Sequence, residues 1–283
     1  MTRLKTLVVV ALFPLSLAVA QTQPGEKVAG ASSRLAEGAA GAEEKPKAGV
    51  PALDERRAER GREVYERLCI SCHGGDGDGN GYAAKAMDPR PRDFTRGTFK
   101  CRSTPTGTLP VDDDLMRTLR EGLYHTQMPS WAFLGDTNLR DVAEYLKTLS
   151  PRWKTEAPGQ PISYAKEPAD AGRSRERGME VWKEQGCFNC HGQGGKGDGP
   201  ASVALLDDWG NKIVPFDFSA SPHRKCGTSD RDLYRSFMTG LDGTPMAAFP
   251  IPEEDVWHLI HFLRTLQREP SPHQGLFTSI FRR

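Results

Sequence analysis

Two short segments of this chain carry residues able to bond a cofactor: Cys69-Ile-Ser-Cys72-His73 and Cys187-Phe-Asn-Cys190-His191. On one helical turn, a Cys-x-x-Cys pair presents two thiols along a single edge, and the following histidine directs an imidazole at whatever lies there. This is the arrangement for two thioether bonds to porphyrin vinyl groups and one axial bond to iron, the c-type haem attachment motif. Other uses of the pair fit less well. A redox dithiol expects a βαβ setting, which neither motif has. A zinc ribbon spaces its cysteine pairs by about 15 to 20 residues, whereas Cys72 and Cys187 are 115 positions apart. The motifs therefore predict two covalently attached haem c groups. Cys69, Cys72, Cys187 and Cys190 would form the thioethers, and His73 and His191 would be the proximal iron ligands.

The two motifs belong to a longer duplication. Their histidines are 118 residues apart, and the same shift relates Asp114-Leu115-Met116-Arg117 to Asp232-Leu233-Tyr234-Arg235, Gly122-Leu123 to Gly240-Leu241, and Met128 to Met246. Upstream, Arg60-Gly61-Arg62-Glu63-Val64-Tyr65 matches Arg177-Gly178-Met179-Glu180-Val181-Trp182 at a shift of 117. The duplication nominates the second axial ligands, because Met128 and Met246 each follow their own histidine by 55 residues. A thioether sulfur favours ferrous iron, so His/Met ligation raises the reduction potential and leaves no open iron position. Met87 and Met179 have no methionine counterpart, and Met116 and Met238 sit in central helices, so these four are expected to fill the core. His125 is a rival ligand in the first copy with no histidine matching it in the second.

Three helices per copy are needed to position these residues. Leu139, Val142, Ala143, Leu146 and Leu149, mirrored by Val256, Leu259, Ile260, Leu263 and Leu266, form helical stripes that close each copy. Leu115, Met116, Leu119 and Leu123, mirrored by Leu233, Tyr234, Phe237 and Leu241, predict a central helix. Val64, Tyr65 and Leu68, and Val181 with Trp182, predict a helix entering each first cysteine. No alternating strand pattern competes, so the fold class is all-α, in two helical domains each wrapped around one covalently bound haem.

The chain has 283 residues, 37% of them hydrophobic, with 29 glycines and 21 prolines, and a mean hydropathy of −0.56. Domains so loop-rich bury little apolar area of their own, and a porphyrin between helices would supply core volume. Residues 1–20 read as a signal peptide, with Arg3 and Lys5 before an uncharged run from Leu7 to Ala20. Retention of that run as a membrane anchor is the lesser alternative, since 14 residues are short for a span. Export to the periplasm follows, and cleavage would turn the formal charge from +1 to −1. Near neutrality points to neither nucleic acid nor an anionic membrane as partner. The expected organisation is a flexible leader at 21–53, domains at 54–150 and 173–268, a proline-containing linker at 151–172 and a tail at 269–283.

The carrying residues Cys69-x-x-Cys72-His73 with Met128-Pro129, and Cys187-x-x-Cys190-His191 with Met246, resemble the class I cytochrome c family in its tandem di-haem form, over most of 54–268. The resemblance implies an N-terminal helix crossing a C-terminal one, an edge-exposed haem, and a methionine loop before the last helix. It also implies a proline carbonyl that accepts from each proximal histidine, for which Pro91 and Pro215 are the repeat-supported choices. The second copy departs in having Ala247 where proline commonly follows the methionine.

Asp76-Gly-Asp78-Gly-Asn80-Gly81 opens like a calcium loop, but position twelve is Met87 rather than a bidentate Glu. It and Gly195–Gly199 read as glycine-rich turns. Cys101 and Cys226 lie seven and eight residues after the Asp-Phe pairs. An interdomain disulfide, buried free thiols and an iron-ligand role all remain open for them. The expected function is single-electron transfer between redox protein partners through two His/Met haems, without catalysis by the chain itself. The alternative is a haem enzyme or a subunit of one, of thiosulfate dehydrogenase or peroxidase type.

Overall fold

The structure, a computed structural model, describes residues 49–267. The expected signal peptide, most of the leader and the tail lie outside them. Among the described residues there are nine α-helices and no strand beyond isolated bridges, and no helix is long and apolar enough to cross a membrane.

In the first copy, α1 (Glu55–Leu68) runs into the short α2 (Ile70–His73), followed by α3 (Asp112–Glu121), α4 (Gly135–Thr148) and α5 (Arg152–Thr155). Asp54 caps α1 by accepting from the Arg57 N–H at 3.0 Å, and the helix buries Ala58, Gly61, Val64 and Tyr65, one face at helical spacing. The second copy repeats this with α6 (Gly172–Glu184), α7 (Phe188–His191), α8 (Asp230–Thr239) and α9 (Glu253–Leu266). At α8 the Ser229 hydroxyl accepts from the Asp232 N–H at 3.2 Å while the Asp232 carboxylate accepts from the Ser229 N–H at 3.0 Å, a capping box. The helices α3 and α8 end sooner than their apolar stripes suggest. Gly122 and Gly240, at φ 71° and 66°, turn the chain, so that Leu123 and Leu241 lie beyond the helices.

The first helix of each copy crosses the long helix that closes its core, α4 in the first copy and α9 in the second. At the α1–α4 crossing a Cβ on Gly61 would lie 1.9 Å from the Asp141 carbonyl oxygen, and at the α6–α9 crossing one on Gly178 would lie 1.9 Å from that of His258. Only glycine lets the backbones approach so closely. Beside each crossing an arginine from the first helix pairs with an aspartate of the closing helix, Arg60 with Asp141 at 2.6 Å and Arg177 with Asp255 at 2.7 Å.

The 151–172 segment divides its packing between the copies. Trp153 joins the core of the first, while Ile162, Tyr164 and Ala165 pack on that of the second.

Candidate haem sites

The helix α2 is a single turn that carries Cys72 and His73, with Cys69 just ahead of it, and α7 does the same for Cys187, Cys190 and His191. In the first copy Cys69, Cys72, His73 and Met128 all line one crevice, whose walls include Leu68, Phe94, Leu115, Leu119, Leu123, Pro129, Trp131 and Leu146. The crevice encloses a cavity of about 160 Å³ and opens to solvent at its mouth. Met87 also lines it, whereas Met116 is buried in the core.

Each proximal histidine is fixed by its other nitrogen. His73 Nδ1 lies 3.0 Å from the Arg92 carbonyl oxygen and His191 Nδ1 3.0 Å from that of Phe216. A carbonyl only accepts, so Nδ1 carries the proton and Nε2 keeps a lone pair for a metal. The acceptors are thus the residues after Pro91 and Pro215, a correction to the expected proline carbonyls. The prolines instead pack against the glycine-rich turns: the Pro91 and Pro215 oxygens press on Gly79 and Gly197, where a Cβ would come within 2.8 and 2.5 Å. The N–H groups of those two glycines donate to the His73 and His191 carbonyls at 2.9 Å in both copies. The Asp78 carboxylate is engaged within its own turn, accepting from Asn80. The His73 ring stacks on Phe94 at 4.5 Å, and His191 lies tilted against Phe218 at 5.0 Å. Burial lowers the pKa of both imidazoles, so the neutral, coordinating form prevails at neutral pH. Burial also pushes the Cys69 and Cys187 thiols up to about 11.

The two methionine loops share one hydrogen-bond pattern. The Met128 N–H donates to Thr126 Oγ1 at 3.0 Å and its carbonyl accepts from Leu123, while Met246 does the same with Thr244 and Leu241 at 3.3 and 2.8 Å. Trp131 and Phe249 then donate to Leu119 and Phe237. The loop shape therefore persists despite Ala247. His125 is not among the crevice residues. It is exposed and faces the second copy, its Nε2 meeting the His223 carbonyl and its ring 5.7 Å from Phe216.

Cys101 and Cys226 form a disulfide, with Cα atoms 5.2 Å apart across 125 positions. Among the three readings left open by sequence, this excludes a free thiolate at either position. The bond joins equivalent residues of the repeat, and the contacts around it are reciprocal. His125 of the first copy meets Phe216, and their counterparts meet too, since a Cβ on Gly243 would lie 3.1 Å from Arg92 Nη1. These contacts place both methionine loops at the junction between the copies. Arg102, fully buried, crosses that junction to the Thr239 carbonyl and to Asp242, both at 2.7 Å.

An apolar crevice, paired thiols and a neutral Nε2 lone pair form a donor set suited to a covalently held iron porphyrin. Trp131, which lines the crevice, has a buried Nε1 with no hydrogen-bond partner among the described residues.

Residues 56–146 match the family described as cytochrome C oxidase, cbb3-type, subunit III, and residues 175–267 match cytochrome c. Among solved structures, a chain of the Kuenenia stuttgartiensis reducing HAO-like protein complex is 34% identical with a TM-score of 0.73, covering 77% of this chain and 100% of that one. The chain belongs to the cytochrome c family. It carries two such domains in tandem, in the manner of a di-haem class I cytochrome c. Those domains imply haem c, redox partners and electron transfer as the cytochrome's work. No curated protein matches it.

Proposed function

We propose that this cytochrome is an exported, periplasmic carrier of single electrons. Two haem c groups would be bound by thioethers at Cys69 and Cys72 and at Cys187 and Cys190, with His73 and Met128 as axial ligands in the first domain and His191 and Met246 in the second. The observation that carries this reading is the parallel construction of the two sites. In both, the imidazole is oriented by a carbonyl through Nδ1 and the methionine sits in a loop of the same hydrogen-bond design. An iron with both axial positions filled changes oxidation state without gaining or losing a ligand. The chain's residues supply the rest. The histidines are held in one tautomer, the methionine loops are tied to the helices before them, and the apolar walls keep water from the metal.

The reciprocal contact between domains favours passage of an electron from one haem to the other within the chain. Leu68 and Ile70, beside Cys69, are exposed and offer a small apolar rim for a transient redox partner. The similarity to a chain of a HAO-like complex supports service as the electron-transfer subunit of a larger oxidoreductase. Two observations speak against chemistry on an open haem: Cys101 is tied up in the disulfide, and each site has a methionine in its loop.

Absorption and EPR spectra of the oxidised protein test the assignment. Two low-spin haems and a weak far-red sulfur-to-iron band are expected. Met128→Ala and Met246→Ala should each remove about half of that band, and a high-spin or thiolate signal in the unaltered protein overturns the reading.

A further inference from the structure

The first crevice gathers more positive charge than the chain itself balances. Arg90, Arg92, Lys100 and Lys225 line it beside one carboxylate, Asp114, which is paired with Arg117, and among the described residues none of Arg92, Lys100 and Lys225 has a carboxylate within ion-pair range, 4.0 Å. Burial pushes Lys100 down to about 7 and Lys225 below its usual value. Asp88, Asp93, Asp207, Asp208 and Asp242 act on these cations only from a distance. Half-buried cations set side by side are unfavourable unless an anion joins them.

The source of the third cation is unexpected, because Lys225 belongs to the second domain. Lys100 and Lys225 directly precede the two disulfide cysteines, so the bond between Cys101 and Cys226 that joins the domains also brings these lysines to one place. The second domain supports Arg92 as well, since its Trp209 ring lies 4.4 Å from the guanidinium carbon. The arrangement is not duplicated. Phe216 stands where the repeat places Arg92 in the first domain.

We propose that Lys225 of the second domain, together with Lys100 and Arg92 of the first, binds the propionate carboxylates of the first haem, so that the second domain completes the first haem's site. The inference rests on the haem reading above. Propionates are the anionic groups a haem brings with it, and a cationic wall meets them with charge-assisted hydrogen bonds. Positive charge beside the porphyrin also favours ferrous over ferric iron, which carries one more positive charge. The cluster therefore raises the potential of the first haem above the value its own domain would set.

The test uses the full-length holoprotein with Met246→Ala as the parent, in which the far-red band reports the first haem alone. Redox titration at that band should give a lower midpoint potential in Lys225→Gln and an unchanged one in Lys225→Arg. Lys100→Gln should lower the same potential and carries the test if Lys225→Gln does not fold. In the Met128→Ala parent, where the band reports the second haem, Lys225→Gln should have a much smaller effect. Unmoved potentials in both glutamine variants, or equal falls at both haems, overturn the proposal. The underlying reading fails separately: it is overturned if the unaltered protein lacks two haems by pyridine haemochrome assay, or if neither parent shows the band.

Discussion

The glycine at each helix crossing sets a constraint whose size follows from the structure. In Gly178→Ala the new methyl carbon would start 1.9 Å from the His258 oxygen, 2.5 Å from its carbonyl carbon and 2.8 Å from Phe262 Cβ. Atoms of this kind do not approach within 3.0 Å, so α6 and α9 must part locally by about 1.1 Å. The nearest obstruction is backbone, and no rotamer change relieves it. A radial gap of 0.5 to 1 Å forfeits roughly a quarter to a half of each dispersion contact across it, and Trp182, Leu259, Ile260 and Leu263 all lie in that core. Overpacking costs typically about 1–3 kcal/mol, and an obstruction of this kind belongs near ~3 kcal/mol. At about 4–8 °C per kcal/mol for a domain of this size, the second domain's transition should fall by roughly 12–24 °C. Calorimetry and far-UV circular dichroism would read it, with Gly172→Ala as the control. Gly172 also lies in α6 but has nothing within 4 Å of an added Cβ, and alanine there should be neutral or slightly stabilising. A Gly178→Ala transition within about 3 °C of the unaltered protein would falsify this account of the crossing.

Three further outcomes follow. Thiol titration of the denatured, unreduced protein should find no reactive thiol, with four cysteines in thioethers and two in the disulfide, and two reactive groups would refute the bond. Replacing both Cys101 and Cys226 by serine should destabilise the protein by at most roughly 5 kcal/mol, the chain-entropy value for a loop spanning 125 positions. For pH, the hydrogen bond from Arg177 holds the Asp255 carboxyl below its usual 3.8. A depressed folded-state pKa gives stability that is present above the unfolded value and is lost as pH falls through the folded one. Arg177→Gln should therefore be less stable at neutral pH, unfold at a higher pH during acid titration and converge with the unaltered protein in strong acid. A stability difference that stays constant down to about pH 2 would count against the linkage.

The sequence by itself determined the chemistry-bearing motifs and the helices that frame them. Cys-x-x-Cys-His needs only five consecutive residues to state its purpose. The stripes through Leu139–Leu146 and Val256–Leu263 needed only the helical period, and the 55-residue spacing repeated by Met128 and Met246 singled out the ligands proposed here. Gly61 and Gly178 were visible as matched letters, but their reason was not. It lies in carbonyls of Asp141 and His258, about 80 residues further along the chain. Tertiary structure alone decided which carbonyl meets each histidine, Arg92 and Phe216 rather than the prolines before them. It also joined Cys101 to Cys226, turned His125 toward the second domain and brought Lys225 into the first crevice. Motifs and periodicities are local and written within a few turns of chain. Which distant atoms meet depends on how every helix and loop packs at once, and a one-residue change of register there exchanges one acceptor or cation for another.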